Sequence, residues 1–131
     1  MGNDKRELST ATDGLFVAIS SDGELTGAEM LRELSEYKIC PVLCFEEKGQ
    51  NIVPVFKASA TALKFAKRNT TRDCAIGVME TAPADRKKLE DDGFVVQLLE
   101  WPNKRTCRVH VLTVEQEVST RNAGYRKGMK F

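Results

Sequence analysis

The chain has little of what most enzymes and membrane-anchored proteins display. Its single histidine excludes a zinc site built from several histidines. No phosphate loop, dinucleotide fingerprint or Gly-x-Ser-x-Gly elbow occurs. No apolar run approaches the roughly 20 residues of a membrane span, and Met1–Gly14 has no apolar core of the kind a secretory leader needs. Met-Gly opens the chain as in a myristoylation signal, but Arg6 stands where that signal takes Ser or Thr. A soluble, cytoplasmic protein without catalytic residues, metal or cofactor is therefore expected, with no membrane partner.

Cysteine is present without the spacing that would give it metal chemistry. Four cysteines and no export signal read as free thiols in a reducing compartment. In "ICPVLCFEEKGQNIVPVFK" (residues 39–57), Cys40 and Cys44 stand four apart in an apolar run. In a strand they share a face roughly 13 Å apart, too far for one zinc or one disulfide. They are expected to be small core hydrophobes.

What is present fits an ordinary globule. The 131 residues, 41% apolar and 30% charged, suit one domain able to bury a core. Formal charge is +1, and residues 119–131 carry Arg121, Arg126, Lys127 and Lys130 with no acid, which leaves −3 on the rest. We read residues 1–14 as a disordered tail, 15–114 as a single domain and 115–131 as a basic C-terminal tail.

Apolar runs and turn residues place strands at Leu15–Ser20, Ile39–Glu46, Asn51–Lys57, Cys74–Glu80, Phe94–Trp101 and Thr106–Val114. Thr26 and Glu29 form a capping box before an amphipathic helix with Met30, Leu31, Leu34 and Tyr37 on its stripe. Ser59 caps a second helix over Ala60–Arg68. Pro83 opens a third, which Gly93 closes. The order β-α-β-β-α-β-α-β-β predicts an α/β (α+β) two-layer sandwich with about six mixed strands and three helices. The units Leu15–Lys57 and Cys74–Val114 repeat β-α-β-β, through either internal duplication or chance recurrence.

Two finer expectations concern strand neighbours. Pro54 lies mid-strand and cannot donate to a ladder, which predicts an edge strand. The last two strands, around Pro102-Asn103-Lys104-Arg105, are expected to form a hairpin. Its parity puts Phe94, Val96, Leu98, Val109 and Val111 in the core and Val95, Leu99, Trp101 and Leu112 on the other face, with Arg108 and His110. His110 would then lie opposite Gln97.

Leu15–Ser20 resembles the first-strand signature of RNA-recognition motif domains, and Lys48–Asn69 resembles their third strand and second helix. The resemblance covers about half the chain. It implies base stacking on aromatic residues of the third strand, yet Gln50 and Ile52 hold those positions and only Phe16 remains. Membership is not assigned on this pattern.

Two functions from different classes follow. The leading one is a non-enzymatic module that binds a protein partner or itself through Val95, Leu99, Trp101, Arg108, His110 and Leu112. The alternative is a nucleic-acid-binding accessory protein. It would use Lys64, Lys67 and Arg68, which share one side of the second helix, with Arg72 and with Lys104 and Arg105. A further alternative is a small-molecule effector domain with a cleft between the repeated units; Asp22-Gly23-Glu24, after the first strand, stands where open α/β sheets often bind ligands.

Overall fold

The computed structural model describes residues 9–21, 26–71, 73–116 and 118, and the backbone of 123–126. Strands β1 (Leu15–Ser20), β2 (Ile39–Glu47), β3 (Gln50–Val55), β4 (Ile76–Thr81), β5 (Phe94–Leu98), β6 (Cys107–Thr113) and β7 (Ala123–Arg126) form one mixed sheet, with helices α1 (Gly27–Tyr37), α2 (Ser59–Arg68) and α3 (Pro83–Asp91). The α+β class and the element order are those read from the sequence. The seventh strand falls within 115–131: β7 pairs antiparallel with β4, Gly77 opposite Tyr125, so that segment is not wholly a tail.

Local chemistry explains the element ends. Thr26 Oγ1 accepts from the Glu29 amide at 3.1 Å and Glu29 Oε1 accepts from the Thr26 amide at 2.9 Å, the reciprocal capping box. Pro83 occupies the first turn of α3, and Gly93 follows it at φ 97°. Ser59 is the first residue of α2 and not its cap; Ala58 holds the cap position without a side-chain bond. Between β2 and β3 the turn is Lys48-Gly49 alone, both at positive φ (54° and 81°), the type I′ geometry that matches strand twist. The strand ends read at Glu46 and Asn51 leave a four-residue loop, Glu47–Gln50, which would set Cys44 opposite Val53; the turn is shorter, but the register is that one, with Phe45 opposite Ile52.

Alternation along β1 and β2 divides the core in two. Val17, Ile19, Cys40, Val42 and Cys44 pack with Met30 and Leu34 of α1 and Leu89 of α3. Ala18, Leu43 and Phe45 pack on the opposite face with Ala62, Phe65 and Ala66 of α2. Helices thus lie on both faces, giving three layers where the sequence reading has two. Alternation is visible in sequence, but which face each helix covers depends on the crossovers.

β2 is the branch point. β6 lies along one margin from Ile39 to Phe45. Phe45 also pairs Ile52 of β3, and Val42 also pairs Ile19 of β1, so β1 and β3 share the other margin, near opposite ends. β3 passes from β2 to β1, where Phe56 and Phe16 exchange two hydrogen bonds of 2.8 Å. On its far side β3 pairs parallel with β5. Pro54 is therefore in an interior strand, which corrects the edge expectation. The physical premise survives. The Val55 carbonyl accepts from Leu99 on the β5 side, and successive residues point to opposite margins. Pro54 nitrogen therefore points, like Phe56, toward the β2–β1 margin, in the gap between the last rung to β2 and the bridge to β1.

The expected hairpin of the last two strands does not form. β5 pairs with β3 and β6 with β2, and His110 is opposite Val42, not Gln97. Parity within each strand was legible, but not the relation between the strands: Val96 packs on the α1–α3 face and Val109 on the α2 face. Leu98 and Val111, expected in the core, are exposed. The duplication also fails on pairing, because the β2–β3 hairpin of the first unit has no counterpart in the second.

Residues 9–14, assigned to a tail, are held against α3. Arg86 donates from both Nη atoms to Asp13, at 2.8 and 2.6 Å, and these hydrogen bonds hold the Asp13 carboxyl below the usual carboxylate range. The Ala84 amide donates to the Ser9 carbonyl. Buried Asp85 accepts from the amides of Glu115 and Gln116, fixing the chain after β6 to the same helix.

Candidate functional site

The basic residues of α2 face outward because its apolar ones face in. Ala62, Phe65 and Ala66 are buried against the sheet, which leaves Lys64, Lys67 and Arg68 exposed. Two of these cations lie in the last turn, where the helix dipole favours them. Beyond the helix, Asn69 Nδ2 donates to the Phe65 carbonyl at 2.9 Å and Thr70 Oγ1 to Ala66 at 2.6 Å, closing carbonyls that the helix leaves open.

The same asparagine joins the second basic cluster to the first. Asn69 Nδ2 also donates to the Asn103 carbonyl at 3.2 Å, and its Oδ1 accepts from the Arg105 amide at 2.5 Å. Arg68 Nη1 donates to the Pro102 carbonyl at 3.1 Å. Residues 99–106, instead of turning a hairpin, cross the C-terminal end of α2 as a strap. Lys104 and Arg105 are thereby carried to the helix that bears Lys64, Lys67 and Arg68. Arg105 lies over the Phe45 ring, 5.2 Å from its centroid, and Phe45 packs on Phe65. Its Nε is buried without a hydrogen-bond partner. Trp101, at the start of the strap, is 69% exposed. Arg72 lies outside the described residues, as do the side chains of β7 and the cations Arg121, Lys127 and Lys130.

The six residues read as one partner-binding face do not share one. Leu112 is buried in the α1–α3 core and Leu99 packs into the α2 core. Val95 is 39% exposed on β5. Arg108 donates to Asn51 Oδ1 at 2.7 Å. His110 Nε2 lies 3.1 Å from Asp92 Oδ2, with its ring 4.6 Å from that of Phe94. This His–Asp pair has no hydroxyl or thiol hydrogen-bonded to it among the described residues, so the arrangement presents no nucleophile.

Among the described residues, no three His, Cys, Asp or Glu side chains gather as metal ligation requires. The four cysteines are free thiols. Cys40 and Cys44 are buried, Cys74 and Cys107 half-buried. One cleft of about 280 Å³ lies between α3 and β6, lined by Lys88, Asp91, Asp92, Val111, Leu112 and Thr113. Another of about 220 Å³ lies at the start of α2, beside Leu98, Leu99 and Glu100. The first lies within the second β-α-β-β unit, and the other joins Lys57 of the first unit and the start of α2 to Leu98–Glu100 of the second; Asp22-Gly23-Glu24 falls outside the described residues. Among the described residues, no helix is long and apolar enough to cross a membrane.

Comparison with protein-family models, with curated proteins and with solved structures gives no match. Phe16, the aromatic that the RNA-recognition resemblance leaves for stacking, is partly buried against the core beneath α2. The residue that sequence reading missed is Asn69. Its partners lie 34 and 36 positions away, and no spacing rule reaches that far.

Proposed function

We propose that this protein is a non-enzymatic module that binds nucleic acid on the surface made by α2 and the 99–106 strap. The observation that carries the reading is the Asn69 and Arg68 bonding to Pro102, Asn103 and Arg105. It turns two basic clusters, separate in sequence, into one surface bearing Lys64, Lys67, Arg68, Lys104 and Arg105. Nucleic-acid binding of this kind rests on phosphate neutralisation and counterion release, a local property that a net charge of +1 does not oppose. A reducing, cytosolic setting belongs to the same proposal and is supported by four thiols left unpaired.

The test is a salt titration with a fluorescein-labelled oligonucleotide followed by anisotropy. Five phosphate contacts on a single strand weaken binding about a hundredfold between about 50 and 200 mM salt. Combining Lys64→Ala, Lys67→Ala and Lys104→Ala lowers the slope of log K against log salt by about 2. Absence of binding at low salt, or an unchanged slope in the variant, overturns the proposal.

A second reading is docking to a protein partner or to a second copy. It is favoured by the exposure of Val95, Leu98 and Trp101, at 39%, 41% and 69%, which are apolar residues the core leaves in water.

A further inference from the structure

Basic residues alone select phosphates and do not distinguish a duplex from a single strand. Resting on the nucleic-acid reading above, we infer that the ligand is single-stranded and that one of its unpaired bases stacks on Trp101. Three features of the strap lead there.

The first is exposure. Among the described residues, Trp101 is the most exposed of the large apolar side chains, at 69%, although an indole left in water forgoes roughly 25 cal/mol for each Å² that burial would remove. The second is rigidity. The Trp101 carbonyl accepts from the Asn103 amide at 2.9 Å. The next carbonyl is held by Arg68 at 3.1 Å and the one after by Asn69 at 3.2 Å. The Arg105 end is closed by the Asn69 acceptor and by the Phe45 ring. The backbone that carries the indole is thus ordered before any ligand arrives, which lowers the ordering cost of stacking on it. The third is proximity, because the residue after Trp101 is hydrogen-bonded to a cation of the basic helix face.

An aromatic platform beside a track of cations is the arrangement that holds single strands: phosphates follow the charge and a base lies on the ring. A duplex keeps its base faces stacked on one another and cannot use the indole in this way. Exposed Glu100 lies by the start of α2 and repels phosphate, which favours a backbone path toward the C-terminal end of that helix, where Arg68 holds the strap. Asn69 is a positioning residue here, since it touches the strap and not the base.

Trp101 is the only tryptophan in the chain, so its fluorescence reports the contact directly. The intact protein is titrated at low salt with oligo-dT, with oligo-U and with a mixed-sequence duplex of the same phosphate count. Quenching by the single strands but not by the duplex is expected, and the two homopolymers separate DNA from RNA preference. Trp101→Ala should weaken single-strand binding about 10- to 100-fold without changing the salt slope, while Trp101→Phe retains most of the affinity. Circular dichroism checks that both variants fold, as an exposed position predicts. Salt-dependent binding with no quenching, equal affinity for duplex, or an unaffected Trp101→Ala variant overturns the stacking inference and leaves the phosphate reading standing. No binding to any probe overturns both.

Discussion

Burial sorts the four cysteines by reactivity. The thiolate is the attacking form, and burial pushes Cys40 and Cys44 upward from the ordinary thiol range. Cys107 is pushed up to about 12, mainly by burial and then by its neighbour Cys44. At pH 8 its thiolate fraction is about one in ten thousand. Cys74 is half-buried, outside both core clusters, beside Thr71 Oγ1 at 3.3 Å. Iodoacetamide at pH 8 should therefore add one group to the folded protein, at Cys74, and four after urea unfolding. Peptide mass mapping checks this, and rapid labelling of Cys40 or Cys44 in the folded protein would contradict it. The spacing of Cys40 and Cys44 was enough to put both on one core face. His110 was not legible in the same way, because its neighbours Asp92 and Phe94 come from a turn and a strand that pair elsewhere in the sheet.

Among the elements, the most informative is β3. Proline in an interior strand ordinarily removes a needed donor, but at position 54 the donor would point into the gap where β3 leaves β2 for β1. Pro54→Ala restores an amide hydrogen that has no ladder partner in a buried strand. An unpaired buried donor costs about 1–3 kcal/mol, so this substitution should lower stability by that order. Urea denaturation with an unchanged m-value would register it. A neutral or stabilised variant would mean that the β2–β3 ladder continues past Ile52. The capping box, the Met30, Leu31 and Leu34 part of the α1 stripe and the Pro83 and Gly93 boundaries of α3 were legible in sequence, because each is settled by contacts within one or two turns of chain; Tyr37, read on the same stripe, is exposed. The interior placement of β3 was not, since a missing donor says where a hydrogen bond is absent and not whether the strand has neighbours.

For the whole molecule, the question is what covers the apolar residues left outside. A self-association face made of Val95, Leu99, Trp101 and Leu112 would have been one patch. In the fold, Leu99 and Leu112 are drawn into opposite cores, and a stable interface takes roughly 800 Å² from each partner. We expect light scattering at micromolar concentration to give a monomer of 14.6 kDa. A dimer that Trp101→Arg converts to a folded monomer would instead establish the self-association reading and remove Trp101 as a stacking platform.

The sequence by itself determined which residues prefer helix or strand, where most elements begin and end, which residues of one strand share a face, and the register of the Lys48-Gly49 hairpin. These follow from near-neighbour sterics, capping and periodicity. Only the tertiary structure decided which strands meet, that helices cover both faces of the sheet, and that the strap bearing Lys104 and Arg105 is bonded to Arg68 and Asn69 at the end of α2. Parity fixes a side chain's face relative to its own backbone, whereas partner choice depends on how crossovers close over the core. The joining of the two basic clusters depends on Asn69, whose bonds cap α2 with one atom and hold a strap more than thirty residues later with the same side chain.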